Sequence, residues 1–206
     1  EVRTTYPILD TVIDAAEQAG YPRNADYNGK TQEGFGYYQL TQKNGKRWSA
    51  KIAYLDPVRN RANLDVESGA MASGLVIDGT RVTGVNYNMN GREMTAMVGR
   101  EVILCAGAVQ SPQLLELSGI GRPDVLSSHG IAVRHELAGV GENLQDHYVS
   151  RFVWRLKNTS SLNEDARGLR LVGEALKFAL ARRGALTMPA GIIGGFVRSR
   201  PELEVP

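Results

Sequence analysis

The sequence holds a single cysteine, Cys105, which excludes an intrachain disulfide and a cysteine-ligated zinc cluster. Its apolar neighbours Ile103, Leu104 and Ala106 predict a buried structural thiol, and sparse cysteine suits a reducing compartment, so a cytoplasmic location is expected. No apolar run approaches the roughly 20 residues of a membrane span. Neither sign of charge dominates: the formal net charge is +2, with Lys and Arg interleaved among Asp and Glu, which argues against a nucleic-acid partner. Internal repeats are absent, and no stretch at the Glu1 start resembles a secretory leader, so any targeting segment of a longer parent would lie outside these residues. What remains is ordinary for a soluble globular protein, and 206 residues can form one large domain or parts of two.

Periodicity organises the chain. Ile8, Leu9, Val12, Ile13, Ala16 and Ala19 recur at helical spacing, and Gly20 with Pro22 supplies a stop, so a helix is predicted over residues 7–20. Turn formers follow to Gly36, then a short strand at 37–41 closed by Asn44-Gly45. Ser49 can cap a helix that ends before Pro57. Residues 63–67, 71–78, 83–88 and 92–98 read as strands of an antiparallel meander, divided by Asp78-Gly79 and Asn90-Gly91, with Met71, Met89, Met94 and Met97 as packing residues. Residues 101–105 form a compact apolar run that predicts a buried strand, leading through Ala106-Gly107-Ala108 into a helix with Ser111 as N-cap, Pro112 at its first position and Gly119 beyond its end. A short helix at 123–129, a strand at 131–135 and a glycine-rich loop at 139–143 come next. Last are a strand at 148–155, a polar loop at 157–165 and a helix at 169–182 stopped by Gly184. Trp48 and Trp154 read as core or interface aromatics.

A strand that ends in a glycine turn and feeds a helix is the arrangement in which α/β folds bind nucleotides. Such turns also serve purely structural ends, and both readings stand at this point. The complete dinucleotide fingerprint is absent: Gly34-Phe35-Gly36, Gly119-Ile120-Gly121 and Gly139-Val140-Gly141 each supply two glycines without the third at the required spacing. His129 and His135 read as structural or solvated side chains, and no metal-ligand spacing is present.

The stretch Gly107-Ala108-Val109-Gln110-Ser111-Pro112-Gln113-Leu114-Leu115-Glu116-Leu117-Ser118-Gly119-Ile120-Gly121 resembles, without a gap, the second signature of the glucose–methanol–choline (GMC) oxidoreductases. It is flanked in the family's order by Asn44-Gly45-Lys46-Arg47-Trp48-Ser49-Ala50 and by Gly139-Val140-Gly141-Glu142-Asn143-Leu144-Gln145-Asp146-His147. Residues 32–39 and 183–197 are similar to the choline-dehydrogenase-like and aliphatic-alcohol branches. The resemblance implies a mixed α/β and α+β architecture. Residues 46–147 would be the middle portion of a Rossmann-like FAD-binding domain with a β-meander, and residues 1–45 and 148–206 would be segments of an α+β substrate-binding domain. It also implies FAD as cofactor, with the main chain at Ala72 against the adenine and with Gly107, Ala108 and Ser111 near the nucleotide half. Asn143, Asp146 and His147 would lie at the domain junction, touching the cofactor region or stapling the loop. The implied reaction is oxidation of the CH–OH group of a small alcohol, choline-like or aliphatic, by hydride transfer to flavin; the electron acceptor is left open. The family's catalytic histidine belongs to a segment outside these residues, so no catalytic residue is expected here. A non-catalytic structural or interaction domain that keeps the flavoprotein fold is the alternative.

Overall fold

The computed structural model describes residues 4–189, 191–204 and 206. Two compact units emerge: one combines the stretch up to Leu64 with the stretch from Phe152 onward, and the other is Asp65–Arg151.

Helix α1 (Pro7–Gln18) begins with proline at its first position, after Tyr6 in the extended conformation that a residue before proline favours. Ile13 is buried, and the helix closes in a Schellman motif, with Gly20 at φ +93° and the Tyr21 N–H donating to the Ala16 carbonyl at 3.0 Å. Strand β1 is Gly34–Tyr37, earlier than the strand predicted at 37–41. The shift follows from close packing, because a Cβ at Gly34 would stand 2.5 Å from the Pro22 carbonyl oxygen and one at Gly36 would overlap that of Asn24. These glycines let main chain meet main chain. Strands β2 (Gln42–Lys43) and β3 (Lys46–Arg47) flank the Asn44-Gly45 turn, both of whose residues have positive φ. The predicted helix after Ser49 is a single wide turn at Lys51–Leu55, followed by a tight one at Asp56–Val58.

In the second unit, residues 63–67 form no strand, and the meander is three strands: β4 (Ala70–Asp78), β5 (Arg81–Met89) and β6 (Arg92–Met97), paired antiparallel in that order. Met71, Met94 and Met97 are exposed rather than packed. Helix α2 (Gly107–Leu117) follows, then β7 (Ile120–Gly121), α3 (Pro123–Ser128) and β8 (His135–Glu136), which pairs parallel with β7. The strand predicted at 131–135 is thus reduced to its end. Residues 101–105 form no strand either; Leu104 is half-buried, Ile103 is 76% exposed and Cys105 is exposed, contrary to the buried strand and buried thiol expected. A strand needs a ladder partner for its N–H and C=O groups, and none of the described strands pairs with this run.

The first unit resumes with α4 (Leu162–Asp165), α5 (Gly168–Ala181) and β9 (Ile193–Phe196). The strand predicted at 148–155 is absent, and Trp154 is 81% exposed rather than in a core. Helix α4, in a stretch read as loop, carries a Ser161/Glu164 capping box. Helix α5 matches its prediction and ends at Arg182 in the left-handed conformation. Its buried Glu174 accepts hydrogen bonds from Lys177 Nζ at 2.5 Å and the Ala185 N–H at 2.6 Å, and these donors hold its carboxyl below the usual range. Strand β9 pairs antiparallel with β1, setting Phe35 opposite Gly195, where the missing side chain leaves room for the ring. No helix among the described residues is long and apolar enough to cross a membrane.

Candidate functional site

The site candidates fall in the Asp65–Arg151 unit, around α2. Gly107 begins the helix at φ +89°, a conformation that favours glycine. Ser111 does not cap the helix start as predicted: α2 begins four residues earlier, and the Ser111 hydroxyl accepts the Ala106 N–H at 3.1 Å. Pro112 lies inside the helix, so the Ala108 carbonyl loses its ladder donor. Leu114 is buried.

Ser118 docks the end of α2 onto the meander. Its buried hydroxyl donates to the Leu114 carbonyl at 2.6 Å and accepts the Leu75 N–H at 2.9 Å, beside the irregular pairing between Ala72 and Gly74. Ser118→Ala would leave the Leu75 N–H buried without an acceptor, and a loss of about 1–3 kcal/mol is expected. Urea unfolding of the variant checks this; an unchanged midpoint would show that the helix docks through apolar packing alone.

Helix α2 and the loop 139–145 flank a cleft of about 650 Å³. Ala108, Ser111, Leu115 and Glu116 line the helix side, and Val140, Glu142 and Asn143 the loop side. Asn143 has φ +58° and Gly141 φ +78°; a Cβ at Gly141 would stand 2.6 Å from Glu116 Oε1, so this glycine lets the loop lie against α2. Arg122 bonds to Asp124 and, across to the loop, to Glu142. Its hydrogen bonds depress the Asp124 pKa, and the two carboxylates push its own upward.

Of the residues singled out in the sequence, Ala108, Ser111 and Asn143 share this cleft, and Gly107 forms the turn that leads into it. Ala72 lies on β4 and does not line it. Asp146 and His147 are 96% and 97% exposed at the side chain, with the His147 N–H donating to Asp146 Oδ1 at 2.7 Å, and they do not line it either. His129 and His135 are exposed. Glu116, Arg122 and Glu142 have no role in the sequence reading; the Arg122–Glu142 contact spans 20 residues and has no local signal. Among the described residues no cluster of His, Cys, Asp and Glu could hold a metal ion.

Human mitochondrial choline dehydrogenase is 41% identical over 204 residues, covering 99% of this chain and 34% of that protein. The oxygen-dependent choline dehydrogenase of Staphylococcus xylosus is 41% identical over 200 residues, covering 97% of this chain and 36% of its own length. The chain therefore spans about a third of these relatives. Among solved structures, an Aspergillus oryzae formate oxidase studied for FAD modification superposes with a TM-score of 0.83 at 26% identity, over 95% of this chain and 35% of that one. The family model described as GMC oxidoreductase matches residues 1–149, and the chain belongs to that family.

Proposed function

We propose that this chain is part of an FAD-dependent enzyme that oxidises the CH–OH group of a small alcohol, with choline the first candidate. In this reading the Asp65–Arg151 unit contributes a wall for the nucleotide half of FAD, and the unit built from the flanking stretches belongs to the substrate side. The observation that carries it is the cleft between the start of α2 and the glycine-rich loop, both inside the residues that match the family. The choline dehydrogenases at 41% identity support the choice of alcohol.

The residues present fit the nucleotide half. No side chain caps α2, so the amides of its first turn remain directed outward, the polarity that suits phosphate and ribose oxygens. A Cβ added at Gly107 would meet nothing within 4 Å, so the main chain there is open to a ligand, and Ala108 beside it is small and exposed. Within this chain the constraint on Gly107 is the backbone conformation, φ +89°, rather than a neighbouring atom. The flavin, when bound, takes up the hydride; the residues here position and enclose its nucleotide end, and none of them is assigned the alcohol's proton.

Gly107→Val tests the assignment in the polypeptide that carries these residues. A β-branched residue at φ +89° costs on the order of 1–3 kcal/mol, and its isopropyl group projects where the nucleotide would approach. Flavin content, measured after denaturing release, is expected to fall about tenfold at limiting FAD. Normal loading with a normal unfolding midpoint would show that the turn does not meet the cofactor.

A further inference from the structure

The guanidinium of Arg122, between β7 and α3, makes three hydrogen bonds: Nε to Asp124 Oδ1 at 3.1 Å, Nη2 to Asp124 Oδ2 at 2.6 Å and Nη1 to Glu142 Oε1 at 2.9 Å. The paired bonds to Asp124 fix the plane of the fork, which leaves Nη1 aimed at Glu142. Glu142 lies in the loop wall of the cleft, one residue before Asn143. That wall has little other hold. The Val140 N–H reaches the Leu137 carbonyl at 3.1 Å and the Glu142 N–H reaches that of Gly139 at a long 3.4 Å, and Asn143, Leu144 and Gln145 make no hydrogen bond among the described residues. Gly141 abuts Glu116 by shape alone.

We infer that Arg122 is a positioning residue, whose bond to Glu142 holds the 139–145 loop, and Asn143 with it, at the separation from α2 that a bound nucleotide requires. The inference rests on the nucleotide reading of the cleft. Arg122 touches no ligand in this account; it sets the fraction of molecules whose loop is in place, and apparent affinity scales with that fraction. An exposed, solvent-screened pair of this kind is weak, so the expected change in affinity is only a few-fold.

The test compares the wild type with Arg122→Ala, Glu142→Gln and Arg122→Lys in the polypeptide that carries these residues. Three readouts are taken: amide exchange at Val140 and Glu142, the unfolding midpoint, and titration with ADP as the probe. Arg122→Ala is expected to raise loop exchange and weaken ADP about three- to fivefold, with β4 and β5 exchange and the midpoint unchanged. Glu142→Gln, which keeps an acceptor without the charge, and Arg122→Lys, whose ammonium lacks the planar fork that fixes the donor towards Glu142, should fall between. Salt near 1 M should reproduce the loosening in the wild type and leave Arg122→Ala nearly unaffected. ADP binding with loop exchange and affinity unchanged in both Arg122→Ala and Glu142→Gln overturns the positioning role alone. Failure of the wild type to bind ADP overturns the nucleotide reading, and the positioning role with it.

Discussion

Gly119→Ala is expected to destabilise the Asp65–Arg151 unit by about 3–5 kcal/mol, from backbone strain and overpacking together. Gly119 has φ +83°, and a Cβ there would stand 2.5 Å from the Ala132 carbonyl oxygen and 3.0 Å from Arg134 Cγ. A main-chain oxygen cannot swing aside as a side chain can. The Gly119 carbonyl also accepts the N–H groups of Arg134 and His135, at 2.8 and 3.1 Å, so moving either segment loosens the β7–β8 pairing that leads into the cleft loop. Gly130→Ala is the control: φ is +70°, but a Cβ would meet nothing within 4 Å, so it measures the backbone cost alone. Urea unfolding should show Gly119→Ala less stable than Gly130→Ala by at least about 1 kcal/mol, the lower limit for overpacking. Equal midpoints would mean that the 119 and 132 segments separate freely.

A second large effect is expected from residues 1–206 on their own: weak FAD binding and no alcohol turnover above the free-flavin blank. Dinucleotide affinity in such folds depends on a glycine turn and helix start facing the pyrophosphate, and none of the paired glycines here completes that fingerprint. On the proposed reading the cleft covers only the nucleotide half of the cofactor. His129, His135 and His147 are all exposed, and none lines it. A positioned base typically contributes about a hundred- to ten-thousandfold in rate, so flavin held loosely here would react little faster than free flavin. Titration with FAD, followed by flavin fluorescence, and an assay with choline and an artificial electron acceptor check both parts. Tight FAD binding or clear turnover would place the essential elements inside these residues and contradict the assignment of roles.

The elements legible in the sequence carry their own determinants. Helices α1 and α5 show an apolar stripe with a defined stop, and the meander shows Gly79 and Asn90-Gly91 at its turns. The 15-residue run from Gly107 to Gly121, together with its flanking motifs, resembles the family that the comparisons show. What failed depends on neighbours. Residues 101–105 and 148–155 are apolar enough for strands but find no ladder partner among the described residues, and they remain open, as do Phe152 and Val153. The α2 start was misplaced because Ser111 and Pro112 imitate a helix entry while Gly107 provides it. In the cleft, Ala108, Ser111 and Asn143 were legible through their motifs, whereas the Arg122–Glu142 bond depends on two loops meeting in space.

We propose that these residues belong to a flavoenzyme that oxidises an alcohol. This is tested most directly by purifying the polypeptide that carries them, recording its visible spectrum, and adding choline without oxygen. A flavin spectrum that bleaches on the addition, with recovery of colour when an electron acceptor is supplied, is the expected result. A protein that takes up no flavin even from excess FAD, or whose flavin stays oxidised with choline and with a series of aliphatic alcohols, would contradict it and favour a non-catalytic domain that has kept the fold.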